Sequence, residues 1–303
     1  MNAVEPLPLA LSAAIELLPT SAGSVALYSA QPDPFTADKL PPMLLVHSVN
    51  AAGSAAEMAP LFDYYRRTRS VYALDLPGFG HSDRTDREYT PRLMTDAVLA
   101  CLAHIAARHG DGSADVVALS LAGEFAVRAQ QECAHRVRTL ALISPTGFNG
   151  PARRYGPSGS TLGQGWLYRL LSKPIWRDAI FKGLTRPGVI RYFLERSWGS
   201  KRIDEALWRY DILTTCQPGA VHAPLYFLSA YLFSRDINAL YEAVQCPVWV
   251  SMATRGDFTN YRGRNSVEGR ANWQFHLVEG GALPYFEDLS AFVGLLDPFL
   301  AAP

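Results

Sequence analysis

The stretch from Val116 to Ala129, VVALSLAGEFAVRA, passes from a run of buried-type residues through one serine into a helical pattern. Val116–Leu119 is apolar throughout, as a strand covered on both faces would be. From Leu121 on, apolar residues recur at helical spacing. Ser120 therefore stands on a tight strand-to-helix turn. Such a turn crowds the positions two before and two after the serine, and these hold Ala118 and Ala122. A serine there is either lifted off the sheet as a nucleophile or serves as an ordinary helix N-cap.

The same alternation extends in both directions. Apolar runs at 42–48, 70–78, 114–120 and 138–145 read as strands, and 57–65, 92–109 and 121–133 read as helices. Strands apolar on both faces, alternating with helices, predict a doubly wound, mainly parallel α/β sheet. Beyond Gly147 the series stops. Residues 150–240 are rich in aromatics and arginines and are broken by Pro and Gly, which predicts short helices inserted as a cap. Strands resume at 246–253 and 273–280, and a last helix fits 289–300. The domain reading is an N-terminal segment 1–35 of unread role, a core of 36–149 and 241–303, and a helical cap of 150–240.

Composition narrows the function. The 303 residues carry 28 Lys and Arg against 28 Asp and Glu, which lacks the basic surplus of a nucleic-acid binder. The Arg66–Arg67 and Arg153–Arg154 pairs read as solvated faces. Four dispersed cysteines offer no metal or disulfide framework, and three sit in apolar patterns as buried free thiols. No apolar run is long enough to span a bilayer, and Glu5 and early prolines do not suit a signal peptide. These features predict a cytoplasmic protein without cofactor or metal. Its oligomeric state is not legible.

After the first strand comes LLVHSVNAAGS (44–54). After the next comes DLPGFGHSDR (75–84), of the form D-x-P-G-x-G-x-S-D. With the strand–Ser–helix element, in this order, the chain resembles the α/β-hydrolases. The resemblance implies Ser120 as nucleophile, Val49, Asn50 and Leu121 as backbone donors of an oxyanion hole, and Asp257, in TRGDFTNY, as the triad acid. His47 reads as a packing residue that pins its loop; the family has His-Gly where this chain has His47–Ser48.

The third triad member is missing. In GGALPYFED (280–288) the histidine slot holds Ala282. None of His47, His81, His104, His109, His135, His222 and His276 falls there. His276 lies mid-strand, His81 at a rim turn, and His222 in the cap, from which it would have to reach down. Serine is weakly nucleophilic until a base takes its proton. Three readings follow: a serine hydrolase of bulky apolar esters or amides with impaired activity, a lyase or cyclase on the same fold, or a non-catalytic binder of a small apolar molecule.

Overall fold

The computed structural model describes residues 5–32, 40–110, 112–150 and 154–302. The boundary expected at residues 35–36 and Arg153 lie outside these.

Eight strands form one sheet: β1 (Ala14–Thr20), β2 (Gly23–Ala30), β3 (Met43–Val46), β4 (Val71–Leu74), β5 (Ala114–Leu119), β6 (Val137–Ile143), β7 (Val248–Ala253) and β8 (Trp273–Val278). Their spatial order is β1-β2-β4-β3-β5-β6-β7-β8. The ladders from β4 to β8 are parallel, while β1–β2 and β2–β4 are antiparallel. The doubly wound, mainly parallel sheet is thus present, and residues 14–30, unread in the sequence, extend it with a hairpin.

Helices cover both faces: α1 (Ala59–Tyr65), α2 (Pro91–Arg108), α3 (Ala122–Glu132), then α4 (Gly165–Leu171), α5 (Arg177–Leu184), α6 (Pro187–Trp198), α7 (Glu205–Thr215), α8 (His222–Leu228) and α9 (Ile237–Ala243) between β6 and β7, and finally α10 (Pro284–Glu287) and α11 (Leu289–Ala301). β3, β4 and β5 are buried at every position, which explains their unbroken apolar character. Two apolar clusters lie on opposite faces of the sheet. One contains Leu44, Tyr72, Val116 and Phe125; the other contains Leu45, Ala73, Val117 and Phe292. Strand alternation sends neighbouring residues to opposite sides.

The D-x-P-G-x-G motif is structural here. Buried Asp75 accepts the N–H groups of Ala55 at 2.7 Å and His81 at 2.8 Å. A Cβ at Gly80 would lie 2.0 Å from the Asp75 carboxyl carbon, and the backbone there has φ +49°. Only glycine allows the loop to close this tightly. At the far end of β5, Asp115 takes Arg69 at 2.7 Å and Arg138 at 2.8 Å, both as ion pairs.

Two sequence readings need correction. Arg154 does not lie on a solvated face: its guanidinium comes within 4.0 Å of fully buried Glu124. Among the cysteines only Cys101 is fully buried, and Cys216 is exposed.

Candidate functional site at the carboxyl edge of the sheet

The parallel strands β3, β5, β6, β7 and β8 are neighbours and end along one edge. That edge carries, in turn, the Ser48–Asn50 loop, Ser120, Ser144, Asp257 and Ala282. Open α/β sheets place ligands at such an edge. The sequence-predicted residues therefore come from four of these five strand ends, and Ser144, which the sequence did not mark, stands at the fifth.

Ser120 has φ +55°, a left-handed conformation unusual for a residue with a side chain. Its N–H donates to the Ile143 carbonyl of β6 at 2.8 Å, which fixes the turn to the sheet. The N-cap of α3 is Leu121, and no side chain caps the helix. The capping reading of Ser120 thus loses its support. Local strain held without a capping return is a mark of functional turns. Ala118 and Ala122 are fully buried, so larger side chains have no room beside the turn.

The Ser48–Asn50 loop is held from beneath. Glu57, buried just ahead of α1, accepts Ser48 N–H at 2.7 Å, the Ser48 hydroxyl at 3.0 Å and the Asn50 amide at 2.7 Å. His47 Nε2 accepts Leu76 N–H at 2.9 Å, and Nδ1 lies 2.6 Å from the Ser48 carbonyl. The proton therefore sits on Nδ1 and donates to that carbonyl. His47 is wholly buried and pins two loops, as its sequence reading expected. Among the described residues, the backbone N–H groups of Val49, Asn50 and Leu121 donate to no carbonyl in loops or turns.

Asp257 has partners of its own. Its Oδ2 accepts the Tyr261 hydroxyl at 2.6 Å and Ala253 N–H at 3.1 Å, and its Oδ1 accepts Thr259 N–H at 3.4 Å. Burial raises its carboxyl above the ordinary range, and the Tyr261 hydrogen bond is the largest opposing influence. Tyr261 is itself buried with φ +54°. Ser144, at the end of β6, has φ +46° and a buried hydroxyl. That hydroxyl approaches Asp257 closely enough to favour its charged form, yet makes no well-aligned hydrogen bond. Neither Tyr261 nor Ser144 stands out in the sequence, since a positive φ at a non-glycine leaves no compositional trace.

Ala282 is buried, and its N–H donates to the Ser197 carbonyl at the end of α6 at 2.7 Å. At Gly281 a Cβ would meet Ser197 O and Trp198 Cα at 2.5 Å. The inserted helices press directly onto the histidine-lacking loop, and Trp198 packs there against Phe286 with ring centroids 5.6 Å apart.

None of the seven histidines hydrogen-bonds to Ser120 or Asp257 among the described residues. His222 faces Asp86 at 3.3 Å. His276 stacks on Trp249 at 5.4 Å, and His81 meets the edge of Tyr28 at 6.4 Å. A cleft of about 470 Å³ is lined by Arg255, Glu279, Glu287 and Phe292, among others, and does not include Ser120.

Residues 43–294 match the family described as the Alpha/beta hydrolase family. No curated protein matches the chain. Among solved structures the fold is similar to that of a serine hydrolase involved in carbazole degradation, the CarC enzyme, with TM-score 0.71, 14% identity, and 96% of this chain and 99% of that chain covered. It is also similar to 2-hydroxy-6-oxo-6-phenylhexa-2,4-dienoate hydrolase from Rhodococcus sp. strain RHA1, with TM-score 0.71, 15% identity, and 96% and 100% covered. A third similar structure is the enol-lactonase from Burkholderia xenovorans LB400, with TM-score 0.69, 16% identity, and 95% and 100% covered. At these identities the likeness concerns the fold.

Proposed function

The chain belongs to the α/β-hydrolase family, and from that premise we propose that it is a serine hydrolase of bulky apolar esters or amides, working without a triad histidine. The observation that carries this reading is Ser120: a strained serine at φ +55°, at the strand edge that also carries the N–H groups of Leu121, Val49 and Asn50, which among the described residues donate to no carbonyl in loops or turns. Ser120 is the nucleophile, those amides receive the oxyanion, and Asp257 is the acid. With Ala282 in the base position, proton removal from Ser120 falls to water, and turnover is slow. The similar structures include carboxylesterases and an enol-lactonase, which agrees with ester chemistry. The insert from α4 to α9 acts as the cap. Its aromatics Tyr168, Tyr226 and Tyr231 cluster with centroids 4.2–5.9 Å apart, which suits an apolar substrate.

A second reading is supported by Asp257. Its carboxylate is already occupied by Tyr261, and the Ala282 loop is already filled by Ser197 and Trp198. That arrangement suits a binder or a non-hydrolytic lyase or cyclase, in which oxyanion donors act alone.

Activated esters of long and short acyl chains separate these readings. Slow hydrolysis lost in Ser120→Ala, with long chains preferred, supports the hydrolase. Ligand-dependent rises in Tm with no Ser120-dependent turnover support the binder. Equal rates in the parent and in Ser120→Ala, with no ligand-dependent stabilisation, count against both.

A further inference from the structure

The segment from α4 to the start of α6 differs in charge from the rest of the chain. Residues 165–191 hold six Lys and Arg (Arg169, Lys173, Arg177, Lys182, Arg186 and Arg191) against one acid, Asp178, in a protein with no net charge. Arg177 pairs with Asp178, and Arg191 pairs with Glu205. Arg169, Lys173, Lys182 and Arg186 form no ion pair among the described residues, and all four are exposed.

Large apolar side chains stand exposed among these cations. Trp166 and Leu170 lie one turn apart on α4 and are 62% and 45% exposed, and Ile175, just beyond, is 82% exposed. Residues four apart share one helix face, so Trp166 and Leu170 project together. Arg169 and Lys173 flank them. An exposed apolar cluster marks an interaction site more often than chance.

We propose that this exposed, basic segment of the insert docks on an anionic lipid bilayer, with Trp166, Leu170 and Ile175 entering the interface and Arg169, Lys173, Lys182 and Arg186 meeting lipid phosphates. Basic residues beside interfacial aromatic and aliphatic side chains are the pattern of surface-bound helices. The charge decides between occupants. A second copy presenting the same face would set these cations against each other, whereas an anionic surface neutralises them. Docking is peripheral, since among the described residues no helix is long and apolar enough to cross a membrane.

The test is co-sedimentation of the full chain with vesicles of phosphatidylcholine alone and of phosphatidylcholine mixed with phosphatidylglycerol. Binding to the mixed vesicles only, weakened by added salt, is expected. Arg169→Gln with Lys173→Gln should weaken it by roughly 25-fold, about fivefold per charge. Trp166→Ser with Ile175→Ser should weaken it at least about tenfold by removing the inserted apolar groups. Melting temperatures equal to the parent's show that the losses are not unfolding, and the parent's comparison of the two vesicle types stands without any variant. Equal pelleting with both vesicle types, or with neither, overturns the proposal. So does a lipid-independent dimer that Trp166→Ser with Ile175→Ser dissociates.

Discussion

The Tyr261 hydroxyl donates to Asp257 Oδ2 at 2.6 Å, so the carboxylate after β7 is held by a phenol. This bond favours the charged form against the burial that raises Asp257. Tyr261→Phe removes it and should push the carboxyl further up. Hydrogen bonds to charged groups contribute about 1.5–3 kcal/mol, and a loss of that order is expected. The sign with pH follows. The bond stabilises the ionised carboxylate, so the loss appears in full at neutral pH and shrinks as acid protonates Asp257. Denaturant titrations of parent and variant at several pH values read this directly. A pH-independent difference would assign Tyr261 a packing role only.

Asp211 on α7 is buried, and its Oδ1 finds no partner. Burial first, and the nearby Glu57 carboxylate second, raise its carboxyl well above the usual range. A group raised in the folded state gives stability that is present below its unfolded pKa and is lost as pH rises through the folded one. Between the two values the folded protein must hold Asp211 protonated against the solution, and above the folded one it buries the charge. Asp211→Asn removes the titration, and stability at neutral and alkaline pH should rise by about 1–3 kcal/mol. At acid pH the two proteins should be nearly equal. Melting curves across pH test this, and a drop in stability at neutral pH would show that the ionised carboxylate has an unrecognised partner.

Much of this framework is legible in the residues. The strand at 114–120 and the helix at 92–109 fall within a residue of β5 and α2, because both are buried, regular and capped: Thr90 accepts Leu93 N–H at 3.2 Å, and Pro91 opens the helix. The strand expected over 70–78 stops at Leu74, because Asp75 turns inward to hold the following loop. β1 escapes notice because it is an edge strand with mostly exposed side chains, so neither an apolar run nor clean alternation marks it. In the site, Ser120 and Asp257 are marked by flanking motifs. Tyr261, Ser144 and Glu57 are not, since their roles arise from contacts between strand ends far apart in sequence.

The Asp115 cluster lies at the opposite end of β5 from Ser120. It is fully buried and holds Arg69, Arg138 and the Thr139 hydroxyl, the last at 2.6 Å. Asp115→Asn leaves Arg69, itself buried, without its counter-charge. Breaking a buried pair from one side costs about 3–5 kcal/mol. A fall of that size in denaturant unfolding is expected, with ligand binding at the Ser120 edge unchanged in the fraction that remains folded. A loss under about 1 kcal/mol would mean that water reaches Arg69, as at exposed pairs.

Restoring a base tests the Ser120 edge most directly. If the proposed triad holds, Ala282→His should place an imidazole on the loop after β8 with one nitrogen toward Asp257 and the other toward Ser120. Two features of this chain oppose it. Asp257 already has Tyr261 as donor, and the Ala282 loop is bonded to Ser197 and packed by Trp198. Ala282→His alone should therefore give only a partial gain in Ser120-dependent ester hydrolysis. Adding Tyr261→Phe frees Asp257 Oδ2 to accept the imidazole N–H and should raise the rate further. Together they should approach the ~10²–10⁴-fold that a positioned acid–base group contributes. Ser120→Ala in the same background should remove the gain, and the pH profile should acquire an ascending limb near the imidazole range of about 6.5. If the doubly substituted protein is folded and no faster than the parent, Ser120 is not a latent nucleophile, and the N–H groups of Val49, Asn50 and Leu121 proposed as oxyanion donors would serve binding instead.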